Sequence, residues 1–225
     1  MGRFISMRLQ PGITPVEKEF NQNHNEKQNK NLFLRNLKCE FEMAYRNKTI
    51  FNPKTLVEIK FLQTANDTNG QLLEMEAGYN AHSNEPAAHY HPYQAEDFTV
   101  LSGELTVRID GQIKVLKQGD TLHIPKSKVH SMWNNSKNKT LVNWKVQPAM
   151  NTADLLQTAT GLANEGKTNK KGMPNLLQVA LMANKYAKEF RLSKPPFAIQ
   201  KILFIMLTPF AYLLGYRPTY KKYLD

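Results

Sequence analysis

Four side chains between residues 83 and 134 have the types and the spacing to hold a divalent metal ion: His89, His91, Glu96 and His130. His89 and His91 are two positions apart, so on a strand both project from the same face. Neutral imidazole is a good donor to a transition metal, and Glu96 adds negative charge. This set suits Fe, Mn, Ni, Cu or Zn. An ion held by these four in octahedral geometry keeps positions open for substrate, water or dioxygen. His82 and His123 lie off this spacing, and alternation with Leu122 and Ile124 turns His123 away from the others. Trp133, Trp144, Tyr90 and Tyr93 read as core or rim residues. The single cysteine, Cys39, excludes a disulfide framework and a cysteine-rich zinc module.

Such ligands need a rigid scaffold, and the surrounding sequence reads as short strands between turns. TLVEIKFL (55–62) and QLLEMEA (71–77) flank Asn69-Gly70, a pair suited to a turn with positive φ. FTVLSGELTVRID (98–110) holds two alternating runs around Gly103, and Asp110-Gly111 leads into QIKVL (112–116). TLHIP (121–125) and TLVNWKV (140–146) are further strands. Several short strands at regular spacing predict a β-sandwich or barrel. Alternation from Glu96 places Phe98 and Val100 on the same inner face.

The motifs around these residues resemble those of the cupin superfamily. The first reads SNEPAAHYHPYQAEDFTVLSG (83–103), with Ser83 where the family has Gly. The second reads GDTLHIPKSKVHSMWN (119–134), with Ser127 in place of the turn Gly. Fifteen residues separate Gly103 from Gly119, a spacing similar to that of small bacterial cupins. The resemblance implies a mainly β fold, a single double-stranded β-helix (jelly-roll) barrel of the RmlC-like kind over residues 50–150. It implies metal ligation by His89, His91, Glu96 and His130. The expected layout takes the first motif's ligands from two adjacent strands and brings His130 across the barrel.

The overall charge is +11, which invites a nucleic-acid reading. Its distribution argues otherwise. Residues 1–50 carry net +4, residues 51–159 net −1 and residues 160–225 net +8. The positive charge therefore lies at the ends and not on the barrel. Residues 1–42 read as a disordered extension, polar and Asn/Gln/Lys-rich from Asn21 to Asn31. Met43 is an alternative translation start. Beyond residue 150 the pattern turns helical. Asn151 or Thr152 caps a helix through Ala159, residues 161–174 form a loop, and a second helix runs from Asn175 to Leu192. Pro195-Pro196 ends it. The segment 197–216 is apolar, bordered by Lys194, Lys201, Arg217, Lys221 and Lys222, with Tyr212, Tyr216, Tyr220 and Tyr223 nearby. Packing on the barrel or on a second subunit is one expectation for 151–225, and attachment to a membrane surface is the other.

The expected function is that of a metal-binding cupin, a metal-dependent enzyme acting on a small organic molecule. Quercetin-dioxygenase-like cupins imply oxygenase-like chemistry, with Glu96 as the candidate base. The alternative is a non-enzymatic small-molecule binder, attached to the membrane surface through its tail. Regulatory cupins carry a DNA-binding module, and no helix-turn-helix is evident, so nucleic acid is not an expected partner. The expected location is cytoplasmic or peripheral to the membrane, with homodimerisation as a further expectation.

Overall fold

The computed structural model describes residues 45–224. The expectations for residues 1–42, for Met43 as a start and for Cys39 lie outside the described residues.

Two antiparallel sheets form a jelly-roll barrel, so the fold is mainly β, with helices at the C-terminal end. The first sheet holds β1 (Thr49–Asn52), β2 (Val57–Gln63), β3 (Leu73–Tyr79), β5 (Ala95–Ser102), β8 (Thr121–Ile124) and β10 (Thr140–Gln147). Their spatial order is β1-β2-β3-β10-β5-β8. The second sheet holds β4 (His89–Tyr90), β6 (Glu104–Ile109), β7 (Gln112–Lys117), β9 (His130–Trp133) and β11 (Arg191–Leu192). Its order is β11-β4-β9-β6-β7.

Side-chain alternation sets the core. On β5, Glu96, Phe98 and Val100 are buried while Asp97 and Thr99 are only half-buried. Phe98 and Val100 meet Leu105, Val107, Met132 and Val142 between the sheets. Turn residues enforce the register. Asp110 and Gly111 both have positive φ (46° and 86°), and Ile109 pairs directly with Gln112. Such two-residue turns match the twist of the strands they join. Asn69 and Gly70 also have positive φ, but they close a longer connection over 64–72. There the Asp67 carboxylate accepts from the Thr64 amide and hydroxyl, each at 2.8 Å. At Gly103 (φ +78°) a Cβ would lie 2.9 Å from the Lys139 carbonyl, so only glycine fits as the chain leaves the first sheet for the second.

The C-terminal region folds onto this barrel as α1 (Thr152–Asn164), α2 (Leu176–Lys185), α3 (Phe197–Leu213) and α4 (Lys221–Leu224). Two of its boundaries, the ends of α1 and α2, differ from the sequence expectation, while α1 starts at Thr152 with Asn151 in the N-cap position. Helix α1 continues five residues past Ala159, through Gly161, where the absence of a side chain lets the Tyr223 ring pack against the helix backbone. Asn151 does not cap α1 with its side chain; its amide donates to the Glu189 carboxylate at 2.7 Å. Helix α2, capped by Asn175 accepting from the Gln178 amide at 3.0 Å, stops at Lys185. The chain then turns so that Arg191 and Leu192 pair with Tyr90 and His89. An unpaired strand edge on β4 is satisfied better by this bridge than by another helical turn.

Leu162, Met182 and Tyr186 form a small core between α1 and α2, with Tyr220 and Tyr223 packed against it. Gln94, fully buried beside β5, ties the barrel to α1 by donating to the Thr152 hydroxyl at 2.7 Å and the Pro148 carbonyl at 2.8 Å. Among the described residues, no helix is long and apolar enough to cross a membrane.

Candidate metal centre

The barrel brings His89, His91, Glu96 and His130 together in its interior. His89 lies on β4 directly opposite His130 on β9. His91 follows one residue after β4. Glu96 reaches them from β5 in the opposite sheet. The expected layout is thus corrected: the three imidazoles share one wall of the barrel, and it is Glu96 that comes across. β4 and β5 are close in sequence but belong to different sheets, whereas β4 and β9 are distant in sequence but hydrogen-bonded.

Each imidazole is held by a backbone carbonyl at Nδ1. His89 meets Ala87 O at 2.9 Å, His130 meets Lys128 O at 2.9 Å and His91 meets Glu189 O at 2.6 Å. A carbonyl can only accept, so Nδ1 carries the proton in all three rings. The Nε2 lone pairs are left for another partner. One ligand atom from each of His89, His91 and His130 lies within 4.8 Å of the others. Outer hydrogen bonds of this kind characterise metal-ligating histidines.

The carboxylate completes the cluster. Glu96 Oε2 stands 2.9 Å from His130 Nε2 and 3.3 Å from His91 Nε2. Glu96 Oε2 and His91 Nε2 are nevertheless buried without a hydrogen-bond partner. A carboxylate facing imidazole lone pairs needs a cation between them, and orphaned buried polar atoms are costly. The donor set therefore fits a divalent metal. Glu96 Oε1 is held from the other side by Trp144 Nε1–H at 3.0 Å.

Charge behaviour follows from burial and proximity. Burial opposes ionisation of Glu96, but the surrounding imidazoles outweigh it and lower its pKa to about 2. Burial, reinforced by repulsion from His130 and His91, lowers the pKa of His89 to about 3. Burial also opposes charge on His130, yet the adjacent Glu96 carboxylate prevails and raises its pKa. The phenol of Tyr79, another cavity residue, is pushed above its usual range by burial and then by the charge of Glu96.

The four residues line a cavity of about 280 Å³. The barrel contributes Val57, Ile59, Phe98, Met132 and Trp144 to its walls. Further walls come from the C-terminal helices, with Leu155, Leu156 and Ala159 from α1 and Val179 and Met182 from α2, and from the loops holding Pro86 and Met173. Phe190 stacks on His89 at 4.7 Å between ring centroids. A mostly apolar concavity with a few convergent polar groups is the usual form of a small-molecule site.

Residues singled out off the motif lie elsewhere. His123 points outward and meets Asp97 Oδ1 at 2.7 Å. His82 is exposed in a turn with φ 52°. The two departures from the motif glycines have separate explanations. Ser83 is buried, and its hydroxyl accepts from the Asn134 amide at 2.8 Å. Ser127 adopts φ 64° while its amide donates to the His91 carbonyl at 2.8 Å.

Trp144 packs against the core as its sequence context predicts, and it also donates to the Glu96 carboxylate. The usable signal was strand pairing, since Trp144 lies opposite Phe98 and beside the partner of Glu96. Glu189 and Phe190 had no signal in sequence, standing about a hundred residues from the imidazoles they touch.

Comparison with a family model supports the barrel. The family model described as "Cupin domain" matches residues 74–144. Quercetin 2,3-dioxygenase of Bacillus subtilis (strain 168) is 49% identical over 43 residues, which are 19% of this chain and 13% of that protein. Among solved structures, a predicted oxalate decarboxylase from Thermotoga maritima is 19% identical, covering 47% of this chain and 99% of that one, with a TM-score of 0.41. An RmlC-like cupin from Shewanella frigidimarina NCIMB 400 is 22% identical, covering 49% of this chain and 93% of the other, with a TM-score of 0.40.

Proposed function

Starting from a barrel that is a cupin domain, and so places this chain in the cupin superfamily, we propose that the protein is a metal-dependent enzyme with oxygenase-like chemistry on a small organic molecule. The observation that carries this reading is the set of three imidazoles, each held by a carbonyl at Nδ1 with its Nε2 left for a metal. His89, His91, His130 and Glu96 would hold the ion. When bound, it would act as a Lewis acid that binds and activates an oxygen-bearing substrate. The short match to quercetin 2,3-dioxygenase supports the oxygenase reading.

The chain's own residues do the rest. The apolar walls from Phe98, Met132, Leu156 and Met182 select an uncharged, apolar body and exclude water from the cluster. Trp144 fixes Glu96 Oε1 and leaves Oε2 directed at the reacting end of the cavity. When it does not ligate the ion, the ionised carboxylate can accept a substrate proton at Oε2. Phe190 packs across His89 and closes one side.

The test is metal loading followed by turnover. Purified protein is loaded separately with Fe(II), Mn(II), Ni(II), Cu(II) and Zn(II), dialysed, and assayed for metal content. Oxygen uptake is then followed with a panel of small phenolic and enediol compounds. The expected outcome is one ion per chain, lost in His89→Ala and His130→Ala, and oxygen uptake with one of those ions. Protein that stays metal-free overturns the reading. Metal and ligand binding without turnover favours the second reading, a non-enzymatic small-molecule binder using the same cavity.

A further inference from the structure

Helix α3 has two apolar faces and only one of them is covered. Gln200, Phe204 and Ala211 face inward and are buried. Asn184 at the end of α2 donates to the Thr208 hydroxyl at 2.8 Å, fastening α3 to α2. On the opposite side Ile199, Ile202, Met206, Phe210 and Leu213 recur every three or four residues, which makes one continuous stripe. These side chains are open to solvent: Ile202 is 64% exposed, Met206 65% and Leu213 83%. A helix that is apolar all round is normally enclosed. A contiguous exposed apolar patch marks an interaction surface.

The charge around the stripe has one sign. From Phe190 to Leu224 the chain has six Lys/Arg and no Asp or Glu. Lys194 and Lys201 border the N-terminal half of α3, and both are exposed. Arg217 lies just beyond its C-terminal end, with its guanidinium 5.7 Å from the centre of the Tyr212 ring. Apolar side chains rimmed by cations and tyrosines match the boundary between lipid headgroups and acyl chains.

We propose that the exposed face of α3 docks the protein on an anionic lipid bilayer, with the helix lying in the plane of the membrane. Helix length supports the in-plane orientation. Seventeen residues span about 25 Å, short of the roughly 30 Å of bilayer hydrocarbon. The inner face is also committed to α2, so lipid cannot surround the helix. Charge argues against a second copy of this chain as the occupant. A two-fold contact sets the same patch against itself and so faces a rim of Lys194, Lys201 and Arg217 with another rim of the same sign. Anionic headgroups neutralise the same cations. The stripe lies on the far side of α3 from α2, so this surface goes beyond the metal-site reading and stands whether or not the barrel is catalytic.

The full chain is floated with vesicles of phosphatidylcholine containing phosphatidylglycerol, and with vesicles of phosphatidylcholine alone. Binding is expected only to the anionic vesicles and is released by added salt. Ile202→Glu and Leu213→Glu are each expected to weaken partitioning at least about tenfold, since each puts a charge where an exposed apolar side chain would enter the lipid. Lys201→Glu is expected to weaken it about fivefold or more, one headgroup attraction being lost. All three sites are exposed, and an unchanged thermal midpoint shows that the fold is retained. The proposal is overturned if anionic vesicles leave the protein at the bottom of the gradient. Equal binding to neutral vesicles, or full binding by the two apolar-site variants, overturns it too. A dimer in solution that Ile202→Glu splits, with no vesicle binding, would give this face to a second copy instead.

Discussion

Replacing Trp144 by Phe isolates one hydrogen bond in the candidate metal centre. The indole Nε1–H donates to Glu96 Oε1 at 3.0 Å, and the same ring stacks on Phe98 at 5.7 Å with an interplanar angle of 21°. Phenylalanine keeps an aromatic face against Phe98 but removes the donor. Glu96 is 1% exposed, so water does not readily replace that donor. A hydrogen bond to a buried charged group is worth about 1.5–3 kcal/mol. The carboxylate loses its orientation along with the bond, and loss of such an outer partner typically weakens metal affinity about tenfold to a hundredfold. The assay is competition with a chelator for Zn(II) or Co(II), with the Co(II) absorption bands reporting ligand geometry. Trp144→Phe is expected to weaken binding within that range and shift the bands. In a Glu96→Ala background the same change should have little effect, because the indole then has no carboxylate to hold. Unchanged affinity in Trp144→Phe, or the same loss in both backgrounds, would refute the proposed role of the indole.

Three further outcomes follow from the structure. Metal affinity should fall by roughly tenfold per pH unit below the raised pKa of His130, because the metal must displace a proton from that imidazole. Above that pKa affinity should be flat, and Glu96 (about 2) and His89 (about 3) take up no proton in the neutral range. Chelator competition between about pH 8 and about pH 5 checks this, and affinity constant across that range sinks it. Ser127→Gly should stabilise the fold by about 0.5–1 kcal/mol, since Ser127 sits in the left-handed region at φ 64°; thermal denaturation reads the change, and a lower midpoint contradicts it. Gly161→Ala should destabilise by about 1–3 kcal/mol, because its Cβ would overlap the Tyr223 ring and push α4 from α1. Urea unfolding measures that loss, and an unchanged midpoint rules out the contact as drawn.

The amino-acid sequence alone determined the elements with local causes. Strand alternation on β5 fixed that Glu96, Phe98 and Val100 face inward, because the period of a strand is a backbone property. Asp110-Gly111 specified its hairpin, since few residues tolerate positive φ at consecutive positions. The spacing of His89, His91, Glu96 and His130 pointed to one cluster before any coordinates, because two separate motifs carried it. Helix ends in the tail were less legible. Gly161 reads as a helix breaker in sequence, and only tertiary packing sets the Tyr223 ring against the helix backbone there.

Tertiary structure decided what depends on meetings between distant residues. It set Glu96 opposite the imidazoles rather than beside them, because sheet order and not chain order defines the walls of the barrel. It gave Trp144 a carboxylate to hold. It brought the Glu189 carbonyl to His91 and the Phe190 ring to His89, so the C-terminal segment contributes to the candidate metal centre as well as covering it. Hydropathy marked α3 as apolar throughout, but only packing on α2 settled which face is covered and which remains open. The basic charge concentrated at the C-terminal end gains its physical context there, around a helix face whose apolar side chains have no cover within the described residues.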